Sequence, residues 1–460
     1  MGKMEITAQI PYGHGKLELS LAREDVAGIF RSMIEQERPR SSGMELVDKA
    51  LAQPIGSSGL AELARSKRTA VIIASDHTRP VPSKVIMPPM LRELRRGNPE
   101  IQITILIATG FHRATTEAEL RRKFGDEIVD REHIVVHDCQ DQSSLAFAGI
   151  LPSGGELWLN KLALETDLLL AEGFIEPHFF AGFSGGRKSV LPGIAGRTTV
   201  LSNHCAAFID SEFARTGNLE NNPLHRDMLW AAKKAGLAFI VNVILNGEKE
   251  VVRAFAGDAF AAHETGCREM SGLSLIKVPE SEIVITSNGG YPLDQNLYQA
   301  VKGMTAAEAA VAPGGVIIIA AACQDGHGGE GFYRTLAEAK SPAEVLEKLR
   351  KVPATETVPD QWESQILARV LSKNPVIVVT EQRNHAMIQA MHMQAAGTLE
   401  EALMLARRKT GSSAKIAIIP DGVSVIVRVQ GAGDRVLKCL SRPCPVRVQS
   451  VSRPLEFCHD

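Results

Sequence analysis

Short, unbroken apolar runs recur along the chain, each closed by glycine or a polar cluster, and they set the first reading of the fold. RTAVIIA (68–74), IQITILIATG (101–110), TDLLLA (166–171) and FIVNVIL (239–245) are followed in the second half by 282–286, 316–321, 374–380 and 415–420. Runs of this length without polar alternation are what strands buried on both faces look like. Between them apolar residues return at helical spacing, as in TTEAELRRKFG, where Thr115 or Thr116 can cap and acids fill the first turn. The alternation predicts successive strand–helix units, hence an α/β protein of two domains, each with a mostly parallel, helix-covered sheet. At the start, 4–20 reads as two short strands joined by the turn PYGHGK, then a helix near Ala22–Glu37 that stops before Pro39. Gly59–Arg68 reads as a short helix, 133–137 as a third strand of the first sheet, and Leu157–Leu159 as a strand preceding TDLLLA. NGEKEVVRAFAG reads as a hairpin-like return, Gly257–Leu273 as a helix, and SGLSLIKVPESE as a linker. The chain is thereby divided into a domain over 1–275, joined by 422–460, and a second over 281–421.

Composition narrows the class of partner. Lys and Arg number 51 against 53 Asp and Glu, a net charge of −2, so no global basic field recruits nucleic acid or anionic lipid. A small molecule is the expected partner. The seven cysteines are scattered, and the nearest pair, Cys439 and Cys444, lacks CxxC spacing, which argues against a zinc ribbon and for a reducing compartment. The first residues carry no signal-peptide core, and no run reaches the roughly 18 apolar residues of a membrane span. These features predict a soluble, cytoplasmic protein.

Candidate chemistry collects where the strands end. After RTAVIIA come Asp76, His77, Thr78 and Arg79 before Pro80 and Pro82, which can open a helix whose free N–H groups, with a guanidinium, suit an anion. The plainer reading is that Asp76 or Thr78 caps that helix and Arg79 pairs with it. After ATG comes His112. After TDLLLA, the stretch Glu172–His204 supplies His178, the pair Gly185–Gly186, Lys188 and His204; glycines there allow backbone amides to approach an anion, although GFSGGRKS also suits a plain turn. In the second half Tyr298, Gln299 and Lys302 share one face of a helix, a solvated face being the alternative. GHGGEG (326–331) lacks a phosphate-loop register, with His327 a rim residue, and Trp362 sits at a helix start where it can line a pocket or the core. His14, His133 and His137 read as ordinary turn and strand residues.

Two histidines from different strand ends suit a reaction that needs acid–base groups on both faces of one carbon, as stereochemical inversion does. Arg79 and Lys302 suit a carboxylate, with Gln299 and Tyr298 as neutral partners. A 2-hydroxy acid has these handles, but its α-hydrogen is not acidic enough for an unaided imidazole, so a hydride acceptor is required. No dinucleotide fingerprint is present; Lys188 can hold a cofactor covalently and His204 can ligate a metal.

The motifs SDHTRP, ATGFHR, EPHFFAGFSGGRKSVLPGI, SNH, NGGYPLDQNLYQAVKGM and the later Trp362 resemble the nickel-pincer-nucleotide lactate racemase family in order, up to about Val427. The resemblance implies an active site in the cleft between two α/β domains. It implies a nickel-pincer nucleotide, a pyridinium-3-thioamide-5-thiocarboxylic acid mononucleotide holding Ni(II), tethered to Lys188 and ligated by His204. His112 and His178 are then the general acid and base. Arg79, Tyr298, Gln299, Lys302 and Trp362 match positions that hold substrate or shield the cofactor, and Asp76 and Thr78, with Gly185 and Gly186, match the nucleotide site. Enzymes of cofactor synthesis become expected partners. Lactate is the default substrate, with malate, an aromatic hydroxy acid or a sugar acid as larger alternatives. The competing classes are a nicotinamide-dependent hydroxyacid dehydrogenase, which the missing fingerprint disfavours, and a non-catalytic carrier, which has no use for the histidine pair. The tail beyond Arg428 matches nothing and carries no assignment.

Overall fold

The computed structural model describes residues 4–431. Two six-stranded sheets organise the chain. The first runs, edge to edge, through Val251–Asp258, Leu237–Leu245, Leu168–Phe174, Thr69–Ser75, Gln102–Ala108 and His133–Val136. All neighbours pair in parallel except the return strand Val251–Asp258. Strand Leu168–Phe174 is buried at every position, as an unbroken apolar run inside a covered sheet should be. From Thr69–Ser75 the chain builds outward through Gln102–Ala108 and His133–Val136, then returns to lay Leu168–Phe174 on the other side. That reversal opens a crevice at the carboxyl ends of the two central strands, the usual ligand position in such sheets.

The second sheet runs Gln394–Ala396, Val376–Val379, Val311–Ala320, Ser281–Ser287, Ile416–Ile419 and Val26–Ile29, parallel throughout. Its last strand comes from the start of the chain. The segment Ala22–Glu37, expected as a helix, is instead this edge strand flanked by two short 3-10 turns, Arg23–Asp25 and Met33–Glu35. Tertiary partners override its helical composition: Val26 packs with Ile283 and Ile416, while Ser32 donates to Leu273 O at 3.0 Å. The antiparallel hairpin Glu5–Tyr12/Gly15–Ala22 also buries Ala8, Ile10, Leu19 and Leu21 against this sheet. Residues 5–29 thus pair and pack with the second half, although the sequence reading grouped them with the first.

Leu157–Leu159 is a strand as expected, within Glu156–Asn160, and it pairs antiparallel with Leu145–Ile150 outside the parallel sheet, whereas a further expectation is corrected. The expected linker contains the strand Leu275–Val278, which pairs in parallel with Ile426–Val429 as the chain returns. Residues 432–460, with Cys439, Cys444 and Cys458, lie outside the described part. One apolar cluster joins Leu169, Val190 and Ile194 of the first half to Leu297, Val301 and Ile366 of the second, so helices Leu297–Glu308 and Gln361–Lys373 share a core with the first sheet's covering layer. No helix of the described residues is long and apolar enough to cross a membrane.

Candidate active site

The expected site residues sit on the segments that follow Thr69–Ser75, Gln102–Ala108 and Leu168–Phe174, at the end of the helix Arg197–Asn203, or on the helices Leu297–Glu308 and Gln361–Lys373. The loop after Thr69–Ser75 carries Asp76, which is 1% exposed. Its Oδ1 accepts the Thr78 amide and hydroxyl at 3.2 and 2.7 Å, and its Oδ2 lies 2.7 Å from His112 Nδ1. Burial pushes the Asp76 carboxyl up, but the His112 hydrogen bond, the His112 charge and Thr78 outweigh it and leave the carboxyl below its ordinary value. An ionised carboxylate there makes Nδ1 the donor to Asp76, so that Nε2 is the ring nitrogen left for another partner. The side chains of Asp76 and Thr78, expected near a nucleotide, hydrogen-bond to each other and to this histidine.

His112 follows the strand Gln102–Ala108, and its turn is stitched to the turn that bears Lys188: Gly110 N–H donates to Gly193 O, and Gly193 N–H to Lys188 O, at 3.0 and 3.2 Å. Lys188 lies on the short 3-10 turn Gly186–Ser189. Gly185 and Gly186 have φ of +74° and +52°; a Cβ would stand 2.6 Å from Asn242 Oδ1 at the first and 2.5 Å from the His263 ring at the second. The Gly186 N–H donates to Asn242 Oδ1 at 2.8 Å, so the two glycines have a steric reason here and one amide is already engaged. Arg187 is 1% exposed and, among the described residues, has no carboxylate partner; it donates to the Ala181, Phe183 and Gly185 carbonyls and to His225, and lies 3.2 Å from His263 Nε2, winding the loop around itself.

Lys188 Nζ is 3.3 Å from His178 Nε2 and 5.7 Å from the Phe180 ring centre. Burial, then the charges of Arg187, Arg79 and Lys302, hold the Lys188 amine well below its ordinary range. His178 is lowered likewise, by burial first and by Lys188, Lys302, Arg79 and Arg187 after it. His178 Nδ1 accepts the Ala181 N–H at 3.3 Å, so a neutral ring carries its proton on Nε2, the nitrogen that faces the Lys188 amine.

His204 caps the helix Arg197–Asn203, and its Nδ1–H donates to Val200 O at 2.9 Å. Burial and the Lys188 charge push it down to about 3, which leaves a neutral ring whose Nε2 lone pair is available. The ring packs edge-on to Phe180 at 5.4 Å and beside Trp362 at 5.1 Å. Trp362 Nε1–H donates to Tyr298 OH at 3.1 Å, and Lys302 donates to Gln299 Oε1 at 2.6 Å with Phe179 5.9 Å away. Lys302 makes no ion pair among the described residues, although burial and Arg79 push it down while Glu363 and Glu176 push it up. The Gly-rich loop 326–331 serves this helix, its Gly326 and His327 carbonyls accepting the Leu297 and Tyr298 amides.

The model for the lactate racemase N-terminal domain matches residues 12–217, and that for the lactate racemase C-terminal domain matches residues 276–427. The chain belongs to the lactate racemase family. Among members of the family, the lactate racemase of Thermoanaerobacterium thermosaccharolyticum is 54% identical over 420 residues, covering 91% of this chain and 99% of that protein. The lactate racemase of Lactiplantibacillus plantarum is 50% identical over 423 residues, 92% of this chain and 100% of that one. Both are named as racemases, a class of isomerase. The family fold is also seen directly: the lactate racemase apoprotein structure from T. thermosaccharolyticum superposes with a TM-score of 0.90 at 54% identity, covering 92% of this chain and 100% of that one. A Thermotoga maritima protein at 20% identity and TM-score 0.62 shares the fold alone.

Several residues of the site were not singled out from sequence. Glu172 is a lone carboxylate at the end of the apolar run LLLAEGF, a visible signal of a buried polar role. Phe179 and Phe180, directly after His178, stack on and edge against its ring at 5.1 and 4.5 Å. Glu363, next to Trp362, is buried with Oε1 unpartnered, and burial pushes it up to about 8. Lys123 and Arg187 give no signal in the sequence beyond their charge.

Proposed function

We propose that this protein interconverts the enantiomers of a short 2-hydroxy acid, lactate by default, in the cytoplasm, using a nickel-pincer nucleotide joined to Lys188. The observation that carries the reading is a buried Lys188 amine 3.3 Å from His178 Nε2, with a second buried imidazole, His204, whose Nδ1 is taken by Val200 O and whose Nε2 is left for another partner. The fit to such a group rests on donor chemistry. An uncharged amine can become an amide-type linkage without stranding a buried cation, and a neutral imidazole is a metal donor. No cluster of three or more His, Cys, Asp or Glu that could hold a metal occurs among the described residues, so His204 fits a metal whose other ligands come with the group. When bound, that group supplies the hydride acceptor that a hydroxy acid's α-carbon requires.

The chain's own residues supply the rest. Arg79 and Lys302 grip the carboxylate, Gln299 and Tyr298 orient it, and Trp362 closes over the metal-ligand side. His112, held by Asp76 and Thr78, takes or returns the hydroxyl proton for one enantiomer, and His178 does so for the other. The half built on the first sheet holds the group, and the helices of 281–421 close over substrate. A larger hydroxy acid is the second reading, with Phe179 beside Lys302 as the limit on its size. The enzymes that make the nucleotide are the implied partners. The test is intact mass and nickel content of protein made alongside those enzymes, with racemisation of L- and D-lactate; protein that carries the mass and metal yet leaves both enantiomers unchanged refutes lactate as substrate, and absence of the mass refutes the Lys188 linkage.

A further inference from the structure

Two charged side chains fix the loop 76–82 at both ends and across its crown. Glu172, 3% exposed on the strand Leu168–Phe174, accepts the Ser75 amide and hydroxyl at 3.2 and 3.3 Å through Oε1. Both its oxygens also lie within 3.0 and 3.1 Å of the Ser83 hydroxyl. Ser75 ends the strand before the loop and Ser83 begins the helix after it, Ser83–Gly97. Lys123 belongs to the helix Glu117–Phe124, which starts soon after His112, and its ammonium donates to the Arg79 and Val81 carbonyls at 3.4 and 3.3 Å. The two residues answer each other electrostatically: burial pushes the Glu172 carboxyl up and the Lys123 ammonium is the largest influence opposing it.

The clamp matters because of what the loop carries. Asp76 and Thr78 hold His112, and the charge of Arg79 acts on His178, Lys188 and Lys302. Among the described residues the Arg79 guanidinium has no hydrogen-bond or ion-pair partner of its own. Its position is therefore set by its backbone, and its backbone carbonyl is bound by Lys123.

We propose that Lys123 and Glu172 are positioning residues of this site, Lys123 setting the reach of Arg79 to the substrate carboxylate and Glu172 fixing the loop that carries both Arg79 and the Asp76–His112 pair. The proposal rests on Arg79 as a carboxylate-binding residue. An ångström of misplacement in such a group costs far more in ligand grip than in global stability. Lys123 loss then falls on KM, whereas Glu172 loss falls on KM and kcat together.

The experiment uses holoenzyme with the Lys188-linked mass verified. Lys123→Met is expected to raise KM for lactate about tenfold with kcat within about threefold of the parent, and Lys123→Arg, which keeps a donor, to restore KM to within about threefold. Glu172→Gln is expected to raise KM and lower kcat, each by about tenfold. Should Lys123→Met fail to fold, Ser83→Ala removes one anchor alone and is expected to raise KM about threefold. Parental KM in the folded Lys123 and Ser83 variants, while Arg79→Ala raises it, overturns the positioning role and leaves the substrate reading intact. Parental KM in Arg79→Ala overturns both.

Discussion

The surroundings of the two imidazoles could hardly differ more. His112 has a side chain 41% exposed, with a carboxylate 2.7 Å from its Nδ1 and Thr78 beside it, so Nε2 is the ring nitrogen left for another partner. His178 is bonded to an amine and a backbone amide, packed against two phenylalanines, and buried near the basic groups of Lys188, Lys302, Arg79 and Arg187. One histidine is stabilised by a charge; the other is denied one. A racemase runs at an equilibrium constant of unity between enantiomers, yet its two catalytic faces need not resemble each other. What must match is the overall barrier from each side, and a carboxylate that fixes one ring's hydrogen-bonding and an enclosed apolar pocket around the other are two ways to orient an imidazole.

The largest test of that contrast removes the amine that keeps His178 in place. Lys188→Ala is expected to abolish both activity and the linked mass, read by intact-mass spectrometry, whereas no change on the His112 side should release the mass. Next, His112→Ala and His178→Ala should each lose roughly 10²-fold in turnover while retaining nickel and the linked mass; a wild-type rate in either one removes it from the mechanism. Asp76→Asn should keep the mass and lower kcat about tenfold, because His112 loses the acceptor that fixes its protonated nitrogen. A fourth test compares proton affinities directly. With 13C-labelled histidines, the His178 ring signals should stay unchanged from about pH 8 to about pH 5.5, since burial and neighbouring cations hold it neutral below the usual imidazole value near 6.5. A His178 titration at the usual value contradicts the desolvated account.

The smallest effect concerns stability. The Asp76 carboxyl is depressed in the folded state, so its contribution is present above the unfolded value of about 4 and is lost as pH falls through the lower folded value. The parent's advantage in melting temperature over Asp76→Asn should therefore be present at pH 7 and shrink below about pH 4.

Much of this geometry was legible in the chain. The apolar runs at 69–75, 102–108, 168–174 and 237–245 became adjacent strands because uninterrupted Val, Ile and Leu have few alternatives to a covered sheet. The polar residues just past those runs fell at one edge, since parallel strands place all their carboxyl ends together. What could not be read was pairing between distant charges. Lys123 lies in a helix rich in arginine and glutamate, and nothing local distinguishes it from its solvated neighbours; its role depends on carbonyls 42 and 44 residues away. The segment after Ala22 failed for a related reason. Its composition suits a helix, and only the free edge of a strand near residue 416 makes it extended.

That edge pairing dictates an order of events during synthesis. Val26–Ile29 is made long before its partner, Ile416–Ile419, and can pair only once synthesis has passed that strand. Until then its backbone donors and acceptors on that side stay with water, and the hairpin before it has no apolar surface to cover. Completion of the second sheet is thus a late, long-range closure, and a tag or truncation at the amino terminus acts on the carboxyl-terminal half of the molecule.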